Sequence, residues 1–402
     1  MGSPLSQRGI SRVIVDLLDQ EYRSARGETL RAHPTFESEA PEQLSLGEKG
    51  LSYDSMELLT AAGVVNEFFH LHESGVEDYL LRRRKVGDWA EIVEHALNDG
   101  VSSVTFRTSG TSGSPKLVSH TWEELLQETD FLSQLLECRN RVLSTVPGHH
   151  IYGFLFTVLL PETTGLPVLA LPWERLGELS ESLELKDLIV SHPALWQYLR
   201  RSVGTWPSSI WGVSSTAPLP EELHQGLYES GIDRLLEVYG STETGGVGFR
   251  ERPGEPFTLF PYYRRYTGES GAEVERLSPD GARWEPVEIM DKLSWLDGRR
   301  FLPVGRKDRV VQVGGENVSL ARVEAVISEV PEVEAVTVRL TGTGPEARLK
   351  AFVVPAEGAH LDADRLAELC QSRLRPVEQP RSFTLGEELP RNPLGKVMDW
   401  PV

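Results

Sequence analysis

Hydrophobic positions along the 402-residue chain follow three successive rhythms. Up to about residue 100 the spacing is helical. Residues 10–22 carry Ile14, Leu17 and Leu18. Residues 55–70 repeat apolar side chains at Met56, Leu59, Val64, Val65, Phe68 and Phe69, and residues 91–97 form a further short helical pattern. Residues 33–50, rich in Glu, Ser and Pro, predict a loop between them. From about 101 to 305, short strand-like runs at 103–107, 141–145, 187–191, 209–214 and 235–238 alternate with helical stretches such as 122–137. This alternation predicts an α/β sheet layered with helices. Beyond it, a helix at 319–328 with Val323, Val326 and Ile327 on one face, strands at 335–340 and 349–354, and a helix at 362–374 predict a small second α/β unit. The chain thus divides into a helical segment 1–100, a core domain 101–305 and a C-terminal domain 306–402. The longest apolar stretch, 151–160, contains Tyr152 and Gly153 and ends at Pro161, too short to span a bilayer.

Charge narrows the partners. A net charge of −19 repels phosphate backbones and anionic lipids, which argues against nucleic-acid binding and against membrane association or insertion. A small anion is still admissible, because local donors and a divalent cation outweigh the global field at contact range. The two cysteines, Cys138 and Cys370, are far apart and in no CxxC pattern, which predicts no disulfide framework and a reducing, cytoplasmic setting. Residues 1–19 lack the apolar core of a secretory leader.

The segment Thr108-Ser109-Gly110-Thr111-Ser112-Gly113-Ser114-Pro115-Lys116 is expected between a strand and a helix. Its glycines let backbone N–H groups approach phosphate oxygens, its hydroxyls add donors, and Lys116 adds positive charge. It lacks the Gly-Lys-Ser/Thr ending of a Walker A loop, which excludes a P-loop NTPase. The loop resembles the phosphate loop of the adenylate-forming superfamily, which includes acyl-CoA synthetases, peptide-synthetase adenylation domains and beetle luciferases.

Further stretches resemble that superfamily's motifs, in its order. Pro147-Gly148-His149-His150-Ile151-Tyr152-Gly153-Phe154 is similar to the motif whose aromatic or His side chain borders the acyl pocket, the place of His150. Ser214-Ser215-Thr216-Ala217-Pro218-Leu219 resembles the loop along the adenine, giving Ser215, Thr216 and Ala217 as contacts. In Val238-Tyr239-Gly240-Ser241-Thr242-Glu243-Thr244-Gly245-Gly246 the resemblance implies that Tyr239 packs on adenine, with Gly240 and Ser241 beside it. Thr242 would bind the α-phosphate and Glu243 would hold Mg²⁺. A hard cation bridging phosphates prefers carboxylate oxygen. Gly245 and Gly246 hint at room beside the acyl group. Asp291 matches the ribose-binding carboxylate, although Ile289-Met290 stand where the family often has Thr-Gly, and Gly305-Arg306-Lys307-Asp308 matches the hinge motif, with Arg306 on ribose or phosphate and Asp308 as pivot. Gly314-Gly315-Glu316-Asn317 resembles the loop that serves the thiol step in acyl-CoA synthetases. The last motif, Arg391-Asn392-Pro393-Leu394-Gly395-Lys396, supplies the catalytic lysine, Lys396.

The resemblance implies a large α/β domain on a partly parallel sheet, capped by a mobile C-terminal α/β domain. It implies an AMP-forming acid–thiol ligase that uses ATP and Mg²⁺, activates an aryl or fatty acid as acyl-AMP, and transfers the acyl group to coenzyme A or to the phosphopantetheine of an acyl carrier protein. A non-thiol acceptor is one alternative; a catalytically silent nucleotide- or carrier-binding protein is another. Only 107 residues precede the phosphate loop, fewer than in most members. Within them, Leu51-Ser52-Tyr53-Asp54-Ser55-Met56-Glu57-Leu58 resembles the Asp-Ser-Leu signature of acyl carrier proteins, where Ser55 would bear phosphopantetheine. The same serine also suits an ordinary helix N-cap.

Overall fold

The computed structural model describes residues 2–27, 30, 40–47, 50–108, 116–171, 177, 179–268, 272–307, 309–356, 358–359, 361–390 and 399–401. Its centre is a nine-stranded sheet. In chain order its strands are β3 (Arg141–Ser144), β4 (Val168–Ala170), β5 (Asp187–Ser191), β6 (Trp211–Ser214), β7 (Arg234–Ser241), β8 (Gly245–Arg250), β9 (Phe257–Leu259), β13 (Asp291–Trp295) and β14 (Arg300–Arg306). The spatial order is β13-β14-β9-β8-β7-β6-β5-β3-β4. Strands β4, β3, β5, β6 and β7 are parallel, and β7, β8, β9, β14 and β13 pair antiparallel. The predicted partly parallel sheet is therefore present. The strand runs at 141–145, 187–191, 209–214 and 235–238 lie in its parallel half, as β3, β5, β6 and β7, largely buried strands that read as continuous apolar stretches. The antiparallel half, interrupted by glycines and charges, carried no such signal.

One expected connection differs. The phosphate loop does not run from strand to helix: it joins β1 (Ser103–Arg107) to an antiparallel partner β2 (Leu117–Thr121), in register Arg107↔Leu117 through Ser103↔Thr121. Only then does the helix Trp122–Leu135 begin, with Thr121 as N-cap in a capping box with Glu124. The alternating polar sequence of β2, with one of its five residues buried, gave no apolar run to detect.

The first hundred residues form the helices Gln7–Arg26, Ser55–Phe69 and Val86–Asn98. They share one hydrophobic core with the central sheet. Phe68, 3% exposed, lies edge-on to Phe106 of β1 at 5.3 Å and to Phe154 at 5.8 Å between ring centres. Asp16 accepts the buried N–H of Gly148 at 2.6 Å. Two sequence expectations for the helix Ser55–Phe69 are revised. Met56 and Leu59 are exposed, and its buried face is Leu58, Ala61, Ala62, Val64, Val65, Phe68 and Phe69. The N-cap is Asp54, whose carboxylate accepts from Met56 and Glu57 N–H at 2.7 and 2.8 Å, while Ser55 is an exposed residue of the first turn. The far end of this helix packs on β1 through Phe68.

Between β9 and β13 along the chain lie β10 (Tyr263–Arg265), β11 (Val274–Leu277) and β12 (Trp284–Val287), an antiparallel three-stranded sheet. The C-terminal part has its own core. The helices Leu320–Ser328 and Ala363–Arg373 accompany β17 (Val333–Thr341), β18 (Arg348–Pro355) and β19 (Ser382–Leu385), and the hairpin β15 (Val310–Val313)–β16 (Glu316–Ser319) precedes them. Cys138 and Cys370 are both free. Among the described residues no helix is long and apolar enough to cross a membrane.

Candidate active site

The motifs converge on the carboxyl ends of the parallel strands, where open α/β sheets bind their ligands. At β3 and β5, Thr145 Oγ1 donates to Ser191 Oγ at 2.9 Å or to Val190 O at 3.0 Å. The motif 147–154 sits directly above. Gly153 is required there, since a Cβ would lie 1.9 Å from Pro147 O. The buried Tyr152 hydroxyl faces Ser191 O at 2.8 Å and Val213 O at 3.0 Å, fastening the motif to the ends of β5 and β6. Burial raises the pKa of this phenol well above its ordinary value, keeping it a neutral donor. His149 is buried against His150, with ring centres 4.2 Å apart. His150 opens onto a crevice it shares with Leu17, Gln20, Val64, Glu67 and Arg107, so helices of the first hundred residues form one wall beside it.

At the end of β6, the loop containing Ser215, Thr216 and Ala217 is held from below. Ser215 Oγ donates to Val238 O at 2.9 Å, and Leu219 N–H donates to buried Glu237 at 3.0 Å. Thr216 takes a left-handed backbone at φ 75° and is exposed. The side-chain amide of Gln312, on β15, donates to Thr216 O at 2.6 Å and joins the C-terminal part to this loop. Gln312 also reaches Asn317 Oδ1 at 3.3 Å. Gly314 and Gly315, at φ 60° and 87°, form the two-residue turn of the β15–β16 hairpin, a Gly-Gly geometry matched to strand twist. Glu316 is paired with Arg375 at 2.9 Å. The expected thiol-step loop is thus a tight hairpin next to Thr216.

The segment 238–246 is the hairpin between β7 and β8, where the sheet changes from parallel to antiparallel. Thr242, Glu243 and Thr244 make its turn. The Ser241 N–H donates to Thr244 Oγ1 at 3.1 Å. Gly240 must be glycine, because a Cβ would meet Gly245 O at 2.1 Å. Thr242 is half-buried and Glu243 exposed. Gly245 and Gly246 do not leave room beside an acyl group: a Cβ on either would approach a Glu128 carboxylate oxygen to 2.5 Å. Their smallness admits Glu128 instead.

Tyr239 lies against Phe257 and Phe301, with ring centres at 5.6 and 5.3 Å, and its hydroxyl donates to Asp291 Oδ2 at 2.7 Å. Asp291 in turn stands opposite Arg306 in the β13–β14 ladder, at a register shift. The structure therefore brings Tyr239, Asp291 and the backbone of Arg306 together, despite the unusual Ile289-Met290. Thr108 and Lys116 close the neck of the phosphate loop by mutual bonds: Thr108 N–H to Lys116 O at 2.8 Å and Lys116 N–H to Thr108 Oγ1 at 3.2 Å. From the same hairpin, His120 Nε2 reaches Thr242 O at 2.6 Å, which places the phosphate loop's base beside the Thr242 turn. Ser109, Gly110, Thr111, Ser112, Gly113, Asp308 and Lys396 lie outside the described residues, as does the side chain of Arg306.

Sequence reading missed His120, Glu128, Glu237, Tyr263 and Gln312. Each lies outside the motif residues themselves. A buried Glu in an otherwise amphipathic helix was the one available signal, at Glu128.

With this geometry in place, comparison with known proteins is decisive. The family model described as AMP-binding enzyme matches residues 71–263, and that of the AMP-binding enzyme C-terminal domain matches residues 322–396. The chain is 38% identical to a 4-coumarate–CoA ligase of Halorhodospira halophila, over 96% of its own length and 98% of that protein's. It belongs to the AMP-binding, adenylate-forming enzyme family. It is also 34% identical to a 4-coumarate–CoA ligase of Rhodobacter capsulatus, over 97% of its length and 100% of that protein's. A structure of o-succinylbenzoate CoA synthetase from Bacillus subtilis shares its fold with TM-score 0.60, 17% identity and 85% coverage of each chain. The AMP-binding family member described here is an acyl-CoA synthetase-type ligase: it activates a small carboxylic acid with ATP and Mg²⁺ and passes the acyl group to a thiol.

Proposed function

We propose that this AMP-binding ligase converts a hydroxycinnamate-like aryl acid, 4-coumarate or a close analogue, to its coenzyme A thioester. The observation that carries the substrate class is the end-to-end similarity to two 4-coumarate–CoA ligases, including the short N-terminal helical segment. We place the aryl group on the side of the site that His150 borders, the position the motif 147–154 implies for the acyl group.

In this reading Tyr239 stacks on adenine, while Asp291 accepts the ribose hydroxyls and Arg306 lies beside them. The 109–113 loop, with Thr108 and Lys116 at its neck, receives the β- and γ-phosphates; Ser215, Thr216, Ala217, Gly240 and Ser241 line the adenosine. Thr242 donates to the α-phosphate. The exposed Glu243 carboxylate suits a Mg²⁺ ion, which needs one or two protein oxygens and keeps phosphate and water for the rest. Bound there, the ion supplies neutralising charge. The acid's carboxylate oxygen attacks the α-phosphorus, the bond to the β-phosphate bridging oxygen breaks, and pyrophosphate leaves. Lys396 stabilises the developing negative charge. Rotation of residues 306–402 about Asp308 then exchanges Lys396 for the Gly314–Asn317 hairpin. The thiolate attacks the acyl carbon, the carbon–oxygen bond to AMP breaks, and AMP departs. The bond between Gln312 and Thr216 supports a place for the hairpin at the site in the thiol step. We take coenzyme A as the thiol, a carrier protein's phosphopantetheine being the other source, and the cytoplasm as the setting.

The test is pyrophosphate release with ATP, Mg²⁺ and a panel of aryl and aliphatic acids, with and without coenzyme A. Release that is highest with 4-coumarate and stimulated by coenzyme A is expected. Release with fatty acids alone would remove the substrate assignment.

A further inference from the structure

Behind the Thr242–Thr244 turn lies a buried set of side chains that the mechanism above does not use. Each holds the turn's backbone. His120 Nε2 bonds Thr242 O at 2.6 Å, Tyr263 hydroxyl donates to Thr244 O at 2.9 Å, and Gly246 N–H donates to the Glu128 carboxylate at 2.9 and 3.1 Å. The three come from separate elements: β2, the helix Trp122–Leu135 and β10. All are buried, with exposures of 5%, 2% and 0% for His120, Glu128 and Tyr263. A carbonyl oxygen only accepts, so the His120 proton is on Nε2. Desolvation lowers the pKa of this imidazole and favours its neutral form. Glu128 has Arg276 as its charged neighbour, which is itself tied to Glu124 O at 2.8 Å and Gln127 Oε1 at 3.2 Å. The glycines at 245 and 246 leave the space this carboxylate occupies.

The arrangement grips the backbone on both sides of Glu243 while leaving the Glu243 side chain exposed. Backbone position sets where the Thr242 hydroxyl and Glu243 carboxylate begin. Misplacing a reacting group by about 1 Å costs on the order of 100-fold in rate. We propose that His120, Glu128 and Tyr263 are positioning residues that lock the Thr242–Glu243 turn for acid activation, with no part in thiol transfer. This rests on the assignment of Thr242 and Glu243 to the α-phosphate and Mg²⁺.

The experiment uses the full chain with Tyr263→Phe, which keeps shape and deletes one hydroxyl, together with Glu128→Leu, Glu128→Gln and the control Glu243→Gln. Pyrophosphate release with 4-coumarate is followed over ATP and Mg²⁺ concentration. Thiol transfer is followed separately from supplied 4-coumaroyl-AMP, and melting temperature is recorded. For Tyr263→Phe and Glu128→Leu we expect adenylate formation to fall by about 10- to 100-fold, thiol transfer to stay within about twofold, and Glu128→Gln, which keeps an acceptor for Gly246, to recover most of the loss. If Glu128→Leu does not fold, Tyr263→Phe decides alone. Equal loss in both half-reactions, or no loss in either while Glu243→Gln is inactive, overturns the positioning role. Adenylate formation undiminished in Glu243→Gln overturns instead the reading of the turn on which that role rests, and the role with it.

Discussion

The contact between Tyr239 and Asp291 permits a quantitative test of the nucleotide site. Tyr239→Phe deletes the hydroxyl that donates to Asp291 Oδ2 at 2.7 Å and leaves the ring against Phe257 and Phe301. A hydrogen bond to a carboxylate contributes about 1.5–3 kcal/mol net. Both residues are half-buried, so solvent replaces part of the lost bond and the low end applies. About 1.4 kcal/mol corresponds to a tenfold change in an equilibrium constant. Because the bond orients the carboxylate that we assign to the ribose, the change belongs to nucleotide binding. KM for ATP should rise by up to about tenfold with kcat within about threefold, and the melting temperature should fall by a few degrees because the bond is already made in the unliganded protein. The preference for ATP over 2′-deoxy-ATP should shrink, since a less oriented Asp291 discriminates less. Steady-state pyrophosphate release at saturating acid measures the kinetic changes, and thermal denaturation the melting temperature. A KM within about twofold of the native value and an unchanged 2′-deoxy-ATP ratio would refute the assignment of Asp291 to the ribose.

Three further outcomes are expected. Lys396→Ala should abolish acyl-adenylate formation and leave thiol transfer from supplied acyl-adenylate largely intact; equal loss of both half-reactions would contradict the rotation scheme. Phe68→Ala removes a buried ring packed on Phe106 and Phe154 and should cost about 3–5 kcal/mol in a single cooperative urea transition, whereas a separate early transition of the N-terminal segment would contradict the shared core. Burial pushes the Glu128 carboxyl up to about 7 against an ordinary 4.5, opposed in part by the Arg276 charge and by the Gly246 N–H and Tyr262 hydroxyl. The folded state therefore holds this proton more tightly than the unfolded one. The stability it contributes is full below about 4.5 and is lost as pH rises through about 7, a change of about 3 kcal/mol at most. Glu128→Gln should flatten the fall in urea midpoint between pH 5 and 8, and an unchanged slope would show that Glu128 does not titrate there.

What the sequence made legible follows from how each element is buried. The strands β3, β5, β6 and β7 announce themselves because parallel strands covered on both faces are continuous apolar runs. The Gly-rich hairpin at 238–246 is legible for a different reason. Its turn demands glycine where backbone meets backbone, as at Gly240, and fixed hydroxyls and a carboxylate at the tip. Residues that touch ligand through a strained or crowded turn thus leave a local signature. Strand β2 left none, since alternating polar residues in a two-stranded hairpin resemble a loop. Met56 and Leu59 fit the helical spacing yet are exposed, because a helical period does not distinguish the buried face from a neighbouring exposed stripe.

The supporting residues were hidden by a more general cause. His120, Glu128 and Tyr263 meet only at the β7–β8 turn, from positions spread over 144 residues of sequence, and each bonds backbone atoms, which every residue possesses. A side chain that binds main chain imposes no identity on its partner, so no paired pattern appears in either sequence. Its trace is indirect: a buried carboxylate in the helix Trp122–Leu135 and two adjacent glycines that give it space. Glycine 245 and 246 carry positional information about Glu128 rather than about the substrate. The same argument applies to Gln312, which bonds the Thr216 carbonyl and so links the C-terminal unit to the nucleotide loop without any constraint on the Thr216 side chain. Motifs in this enzyme therefore mark the groups that meet ligand, while the precision with which those groups are held resides in buried polar contacts to the backbone.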